Sequence, residues 1–376
     1  MIYLDNAATT RPFSEAVETV RRTSAEDFYN PSSLYPPARA LKAKIERARE
    51  TVAAAMGVRA EEIFFTSGAT EADNWAVFCG RKNKNGNIVS TGGEHSAVYE
   101  CLTAQKNGGA KVALAPLNAY GGVSADKFLE LAGDSAAFVS VIHGSNETGA
   151  VNDVFALAAA VKKRNGKTVF HSDGVQTFCK FPLALGGSGI DLYSVSAHKI
   201  GGPKGVGALY CDSKLKLRPY IYGGGQEGGA RSGTENAAAI LGFAEAVKIY
   251  TDRYDAKKIL EISECFIDKI SALDNVKINS VPKDGVPGIV SLSLAGVNAE
   301  VLQRLLAADG IFIGLGSACA SSLRRNRVLA AAGLSPDEIA GSVRASFGID
   351  NTLADAETAA KKIIEKTELL RSGKIG

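Results

Sequence analysis

The sequence lacks the marks of membrane-spanning and nucleic-acid-binding proteins. Its 43 basic and 40 acidic residues leave a net charge of only +3, too weak a field to indicate a nucleic-acid or membrane partner. No apolar run is long enough to span a bilayer, and residues 1–6 carry neither the basic segment nor the apolar stretch of a signal peptide. We therefore expect a cytoplasmic protein with no membrane and no nucleic-acid partner.

Cysteine is scarce and dispersed. There are six cysteines, and the closest two, Cys79 and Cys101, are 22 positions apart. This spacing indicates neither a Cys-x-x-Cys metal site nor a disulfide framework, so we expect no bound metal. Five of the six have apolar neighbours and are interpreted as small core residues. Cys319 differs, because residues 314–322 are mostly Gly, Ala and Ser and predict a loop.

Strand-like and helix-like patterns alternate along the chain. Helices are predicted at 37–56, where Gly57 is expected to end the helix, and at 354–370. Strands are predicted at 62–66, 87–90, 111–115, 136–142 and 168–172. This alternation predicts an α/β fold with a mostly parallel sheet flanked by helices.

The length of 376 residues is enough for a large and a smaller domain, each with its own core. One long helix is predicted from about residue 242, with Tyr254, Ile259 and Ile262 facing inward. We place the domain boundary within that helix. The prediction is a large domain at 12–245 and a smaller α+β domain at 246–376, with residues 1–11 as a candidate addition to the smaller one.

One lysine, Lys199, lies between two predicted strands at 190–195 and 206–210. It is flanked by Ser196 and His198 and followed by a glycine-rich turn. A lysine held at a strand end, beside a small backbone, can form an imine with an aldehyde. The serine and histidine add neutral hydrogen-bonding groups suited to a phosphate oxygen. The pattern indicates a pyridoxal 5'-phosphate (PLP) site; the alternative for this motif alone is a β-turn with the lysine in solvent.

Residues 64–71 form a strand, a turn of small residues and the start of a helix. This geometry directs free backbone N–H groups and the positive end of the helix at one point, which suits a phosphate. Thr70 can add a hydroxyl group. The alternative is that Ser67 or Thr70 only caps the helix.

A carboxylate, Asp173, follows the predicted strand 168–172, at the strand end where α/β folds build their sites. A buried aspartate stabilises the protonated pyridine nitrogen that PLP needs as an electron sink, and Gln176 can hydrogen-bond the ring 3-oxygen. Asp173 can instead be a helix cap.

His95 and Asn146 also follow strands; a histidine there can stack on a pyridine ring or carry a proton, and either residue alone can be structural.

Eleven motifs occur in one order over nearly the whole chain, at 3–10, 30–33, 66–71, 94–95, 146–149, 173–176, 196–199, 225–227, 231–234, 316–319 and 343–344. On these motifs the chain resembles the PLP-dependent enzymes of the class V aminotransferase group, and within it the cysteine desulfurases of the NifS/IscS type. The resemblance implies a fold type I PLP-dependent transferase that forms a homodimer.

The resemblance also implies a role for each matching residue. Around the ring, Lys199 would hold PLP, Asp173 would pair with the ring nitrogen, Gln176 with the 3-oxygen, and His95 would stack on the ring. The phosphate would be held by Ala69, Thr70, Ser196 and His198, together with Thr234 from the other chain of the dimer. Asn146 would lie beside ring and substrate, and Arg344 would bind the substrate carboxylate.

The implied reaction converts L-cysteine to L-alanine. Cys319, as a thiolate, would take the sulfur as a persulfide and deliver it to a sulfur-acceptor or iron–sulfur scaffold protein. Two alternatives differ in what they require. A selenocysteine lyase or another aminotransferase-like PLP enzyme would not need Cys319. A non-catalytic scaffold for sulfur assembly would not need the complete set of PLP-binding residues.

The chain departs from the family pattern at a few positions. Tyr35 stands where His is usual, Ala69 where a second Gly is usual, Ser145 where Asn is usual and Ala345 where Phe is common. None of these changes removes a catalytic group. Residues 321–327 are more basic than the family suggests, and we interpret them as a solvated loop.

Overall fold

The structure is a computed structural model that describes residues 1–81, 83, 86–281, 283–315 and 327–373. The strands in this part of the chain are β1 (Ile2–Leu4), β2 (Ile63–Thr66), β3 (Asn87–Thr91), β4 (Val112–Ala115), β5 (Ala136–Ser140), β6 (Val169–Asp173), β7 (Leu192–Ser196), β8 (Gly207–Cys211), β9 (Val276–Ile278), β10 (Ile289–Leu294), β11 (Ile311–Leu315) and β12 (Ser342–Ser346).

The α-helices of the same ranges are α1 (Ser14–Glu26), α2 (Pro36–Met56), α3 (Ala69–Cys79), α4 (Ser96–Asn107), α5 (Ala125–Ala132), α6 (Val154–Arg164), α7 (Ala237–Arg253), α8 (Ala256–Ile270), α9 (Ala299–Ala308), α10 (Arg327–Ala331), α11 (Pro336–Ala340) and α12 (Leu353–Arg371). Helix α2 ends as predicted, because Gly57 takes the left-handed conformation at φ +65°. No helix in the described ranges combines the length and apolarity needed to cross a membrane.

The larger sheet has seven strands in the order β2-β8-β7-β6-β5-β3-β4. Strands β4, β3, β5, β6 and β7 are parallel neighbours, whereas β8 runs antiparallel to both β7 and β2. This confirms the predicted α/β fold with a mostly parallel sheet. Because the carboxyl ends of parallel strands meet at one edge, the segments that follow β3, β5, β6 and β7 come together there.

Helices cover both faces of the larger sheet. Buried residues of α2, α5, α6 and α7 pack on one face, and buried residues of α3 and α4 pack on the other. Trp75 of α3 and Phe170 of β6 are fully buried, and each large apolar side chain stabilises the fold by about 1.5–3 kcal/mol. The sheet edge that carries the site is therefore held between two packed layers.

A second sheet has five strands in the order β1-β11-β12-β10-β9. Its core includes buried residues of α8, α9 and α12. Strand β1, at the start of the chain, pairs in parallel with β11, with Ile2 opposite Ile311. Residues that follow β1 therefore leave the second sheet and run toward the larger one.

The prediction of one long helix from residue 242 is wrong. Helix α7 ends at Arg253, Tyr254 is extended, and a new helix begins at Ala256. The Asp255 side chain accepts hydrogen bonds from the N–H groups of Lys257 and Lys258. An aspartate cap of this kind starts a helix, so the apolar pattern continues across a break in the backbone.

Candidate cofactor and substrate site

A cleft of about 530 Å³ lies at the carboxyl edge of the larger sheet. A larger depression, of about 1020 Å³, lies where β5 and β6 begin and contains none of the predicted site residues. The cleft has the size of a small-molecule site. It brings together nine of the predicted residues: Ala69, Thr70, His95, Asn146, Asp173, Gln176, Ser196, His198 and Lys199.

Lys199 ends a single 3₁₀ turn, Ala197–Lys199, directly after β7. Its Nζ donates hydrogen bonds of 2.7 Å to the carbonyl oxygens of Ala7 and Ala8. Burial, and then the positive charge of Arg344, lower the pKa of Lys199 to about 8. The lysine is therefore held by neutral acceptors and is ready to lose a proton, as an amine nucleophile must.

This shift predicts the pH dependence of cofactor capture. Only the neutral amine attacks an aldehyde, so the rate of covalent attachment of PLP to the apo-protein should rise with pH around a midpoint near 8. At pH 7 roughly a tenth of the amine is neutral. The rate is measured by trapping with borohydride at a series of pH values. A midpoint near the ordinary lysine value of 10.5 would contradict the role of burial.

The end of the cleft suited to phosphate is built from backbone and neutral side chains. Helix α3 starts at Ala69 with no side-chain cap on its first N–H groups, which leaves them available to an anion. Gly68 and Ser196 border the same space: a Cβ atom added to Gly68 would lie 4.0 Å from Oγ of Ser196. His198 shares a 3.1 Å hydrogen bond with Oγ1 of Thr9, and burial lowers its pKa to about 4. It is therefore a neutral partner.

The opposite end of the cleft carries an acid and an imidazole. Asp173, the last residue of β6, is 3% exposed, and its Oδ1 accepts the N–H of Val175 at 3.0 Å. The alternative interpretation of Asp173 as a helix cap therefore reduces to one hydrogen bond within a local turn. Nδ1 of His95 accepts the N–H of Ala97 at 3.2 Å, so a neutral ring carries its proton on Nε2. An acid and an imidazole in one cleft are groups that suit an aromatic cation such as a pyridinium.

Gln176 and Asn146 complete the wall of the cleft. Nε2 of Gln176 donates to the carbonyl oxygen of Ala7 at 2.9 Å, the same oxygen that holds Lys199. Nδ2 of Asn146 donates to Oε1 of Glu147 at 2.9 Å. Both amides are therefore fixed before any ligand binds.

Three predicted residues do not line this cleft. Arg344 of β12 lies behind Asn146, is 5% exposed, and donates to the Asn146 carbonyl oxygen and to Oδ1 of Asp5, both at 2.8 Å. Thr234 lines a neighbouring depression together with Ser67 and Gly205, two residues that also border the cleft. Cys319 lies outside the described residues.

The prediction of a solvated basic loop is wrong for Arg327, the described residue of that stretch. Its guanidinium carbon lies 3.8 Å from the centre of the Tyr99 ring, and it donates to the carbonyl oxygens of Gly92 and Glu94. These contacts join the start of α10 to the turn before His95. Stacking and two carbonyl acceptors satisfy the cation away from bulk water.

Sequence reasoning missed some residues that shape the site. The carbonyl groups of Ala7 and Ala8 hold Lys199, and Thr9 and Lys204 line the cleft. The family-like motif at 3–10 contains three of these, but backbone carbonyls leave no side-chain signal in a sequence. Buried Asp73, on α3, also lies close to the site.

Comparisons with known proteins show the family of the chain. The model of the aminotransferase class-V family matches residues 2–358. A cysteine desulfurase IscS of Clostridium botulinum is 37% identical, over 95% of this chain and 91% of that protein. A solved NifS-like protein superposes with a TM-score of 0.91 at 32% identity, covering 98% of this chain and 99% of that one.

A further solved structure, of SspA in complex with cysteine, has a TM-score of 0.81 at 28% identity and covers 92% of this chain and 99% of its own. The chain belongs to the class-V aminotransferase family and, within it, to the cysteine desulfurases of the NifS/IscS type. The resemblance predicted from the motifs and the fold type I architecture are thereby confirmed.

Proposed function

We propose that this protein is a PLP-dependent cysteine desulfurase that converts L-cysteine to L-alanine. The observation that carries the proposal is the single cleft in which Lys199, Asp173 and the uncapped start of α3 face one another. A lysine amine, a buried acid and a phosphate-binding helix end match the three functional ends of PLP. The cysteine bound to the related SspA structure supports the choice of substrate.

The residues present fit the cofactor that the family implies. Lys199 would bind its aldehyde carbon, Asp173 its ring nitrogen and Gln176 its 3-oxygen, and His95 would stack on the ring. The phosphate would be held by Ala69, Thr70, Ser196 and His198. When bound, PLP supplies an electron sink for bond cleavage at the substrate amino acid.

The protein's own groups then orient the substrate and move its protons. When its amine is not bound to the cofactor, Lys199 would carry a proton, and its lowered pKa suits that task near neutral pH. The proton on Nε2 of His95 faces the same cleft. Asn146 would lie beside the substrate, with Arg344 behind it for the substrate carboxylate.

Sulfur transfer requires a nucleophile, which we assign to Cys319. Its thiolate attacks the sulfur of the substrate, a new S–S bond forms and the C–S bond breaks. The bonding electrons stay on carbon, which takes a proton, so one L-cysteine and one thiol give one L-alanine and one persulfide. We propose that a sulfur-acceptor or iron–sulfur scaffold protein in the cytoplasm then takes the sulfur for cluster assembly or another sulfur-acceptor pathway.

The direct test is to incubate the purified protein with PLP, L-cysteine and a reductant and to measure sulfide and alanine together. The proposal requires the two products in equal amounts. Alanine release from L-selenocysteine but not from L-cysteine would instead identify a selenocysteine lyase. Transfer of the amino group to a keto acid without sulfide would identify an aminotransferase.

Arg344 provides the test of the substrate end. Loss of its charged hydrogen bonds in Arg344→Ala should raise the KM for L-cysteine by roughly 10- to 100-fold, since such bonds are worth about 1.5–3 kcal/mol. PLP affinity should change little. The Lys variant keeps the charge but loses the two-pronged geometry, so its KM should lie between the two. An unchanged KM in the alanine variant would remove Arg344 from the site.

We also propose that the enzyme is a homodimer in which Thr234 serves the partner's cofactor. Thr234 lies beside its own cleft rather than in it. Two ion pairs hold this region to its own subunit: Arg231 with Glu71 at 2.7 Å, and Arg49 with Glu227 at 2.6 Å. The ion pairs leave Thr234 at a fixed position next to the phosphate-binding turn.

A mixed dimer tests this arrangement. Thr234→Asp should be inactive, because its carboxylate repels the cofactor phosphate, and Lys199→Ala should also be inactive. A heterodimer of the two, purified through two different tags, should regain up to about half of the native rate, because one site contains both native residues. A heterodimer as inactive as its parents would assign Thr234 to its own chain.

The domain division at residue 245 remains a proposal. Ala244 and Val247, on either side of it, both pack in the core of the larger sheet. The division of the chain into 12–245 and 246–376 would be tested by limited proteolysis of the folded protein.

A further inference from the structure

Asp73 is a buried carboxyl that the proposed reaction does not use. It lies on α3, is 0% exposed, and neither of its oxygens makes a hydrogen bond of good geometry among the described residues, although the Ser194 hydroxyl is close enough to offset part of the effect of burial on its pKa. One oxygen lies 3.4 Å from Nε2 of His171. An isolated carboxylate is strongly disfavoured when it is buried, so this position needs either a cation or a proton.

Asp73 is part of the cofactor site by position. Ligand atoms of Asp73, His95 and Asp173 all lie within 4.8 Å of one another. His171 and Asp173 are two residues apart on β6, so both point to the face of the sheet on which α3 packs. The helix thus places a second carboxyl next to the one that we assign to the ring nitrogen.

The other ionisable groups near Asp73 supply no permanent positive charge. Burial, with a smaller contribution from the charge of Asp73, raises the pKa values of Glu94, which precedes α4, and of Cys101, which lies in α4. Both are therefore acids that resist ionisation there. His171 is neutral, because burial lowers its pKa to about 4. No lysine or arginine of the described ranges lowers the pKa of Asp73, which burial raises.

Two carboxylates at this separation do not both stay ionised without a cation between them. Burial and the charge of Asp73 raise the pKa of Asp173 as well. Asp173 faces the cleft, where a protonated ring nitrogen would neutralise it. On its other side, Asp73 meets Nε2 of His171 and the hydroxyl of Ser194, which are 3.1 Å from each other.

We propose that Asp73 is a positioning residue of the cofactor site, which keeps a proton so that Asp173 is the only carboxylate available to the ring nitrogen. The proton would bridge an Asp73 oxygen and Nε2 of His171. Nδ1 of His171 in turn shares a 2.9 Å hydrogen bond with Oγ of Ser140. That the ring nitrogen belongs to PLP rests on the proposed function. The proton shared by Asp73 and His171, in contrast, is a property of the protein without cofactor.

The test uses Asp73→Asn, because an asparagine amide donates and accepts as a protonated carboxyl does and keeps its shape. Infrared spectra of the apo-protein at pH 6 should lose one carboxylic-acid carbonyl band in this variant. Burial also raises the pKa of Glu94 to about 8 and that of Asp173 to about 6, so these two carboxyls supply further bands, which Glu94→Gln and Asp173→Asn identify. An unchanged set of acid bands in Asp73→Asn would overturn the proposal.

A second measurement distinguishes a proton from a merely structural contact. A carboxyl whose folded pKa is raised binds a proton on folding, so its stabilising contribution is present at low pH and falls as pH rises from about 4 toward neutral. Urea unfolding of the apo-protein should therefore show a shallower decline with pH in Asp73→Asn than in the native chain. Asp126→Asn, on the exposed side of α5, should leave the slope unchanged. Equal slopes in all three would contradict the proposal.

A third measurement tests the positioning role with cofactor bound. In ¹⁵N-labelled PLP, Asp173→Asn should shift the ring-nitrogen signal to that of an unprotonated pyridine, while Asp73→Asn should leave it protonated. Loss of the protonated signal in Asp73→Asn would show that Asp73 acts as an ionised partner. If the protein bound no PLP at all, the proposed function would fail while both apo-protein measurements kept their meaning.

Discussion

The Lys199→Ala variant should hold no covalently attached PLP and should release no sulfide from L-cysteine. In the proposed function the single amine of Lys199 both binds the aldehyde and later moves protons, so the variant loses both roles. Loss of proton transfer alone lowers rates by about 10²–10⁴-fold, so turnover should fall below detection. Covalent attachment is measured by borohydride reduction followed by mass spectrometry of the peptide that contains residue 199.

Lys204 offers a matched control in the same cleft. It is exposed and lines the same cavity, but among the described residues no carbonyl pair holds its amine as Ala7 and Ala8 hold that of Lys199. Lys204→Ala should therefore still attach PLP covalently at residue 199. Covalent cofactor in Lys199→Ala, or its loss only in Lys204→Ala, would overturn the assignment.

The Cys319→Ser variant should bind PLP and L-cysteine normally and yet produce no sulfide. A serine hydroxyl is not ionised near neutral pH and cannot accept sulfur, whereas a thiolate can. The step that fails is sulfur transfer, so the spectral change on adding L-cysteine should remain. The expected loss of sulfide is complete within the detection limit of the assay.

A second cysteine separates this effect from general loss of thiol chemistry. Cys265 is half-buried on α8, in a helix that packs in the core of the second sheet. Cys265→Ser should keep native sulfide release. Normal desulfuration by Cys319→Ser would favour a selenocysteine lyase-like or other PLP enzyme that does not use this thiol.

The sequence predicted local features well because their causes are local. Helix α2 starts at proline and ends at Gly57, as the apolar spacing and the glycine predicted. Lys199 and Asp173 both follow strand patterns, and parallel strands bring their carboxyl ends to one edge. Nine predicted site residues therefore line one cleft. Two predictions failed. The predicted long helix breaks after α7, because Asp255 caps the start of α8 within an apolar pattern that continues across the break. Arg327 is not solvated, because its partners lie far away in the chain.

What the sequence by itself determined was the chemistry at each motif: an amine after one strand, an acid after another, and a helix start between glycine and small residues. Only the tertiary structure decided which groups meet. One acceptor of the Lys199 amine, the Ala7 carbonyl oxygen, is 192 positions away in the chain, and Asp5 is 339 positions from Arg344. Such pairs depend on the order of strands in the sheets, because β1, at the start of the chain, pairs with β11, near its end. Asp73 also lies close to Asp173 although the two are far apart in the chain, because the packing of α3 on the sheet sets their separation.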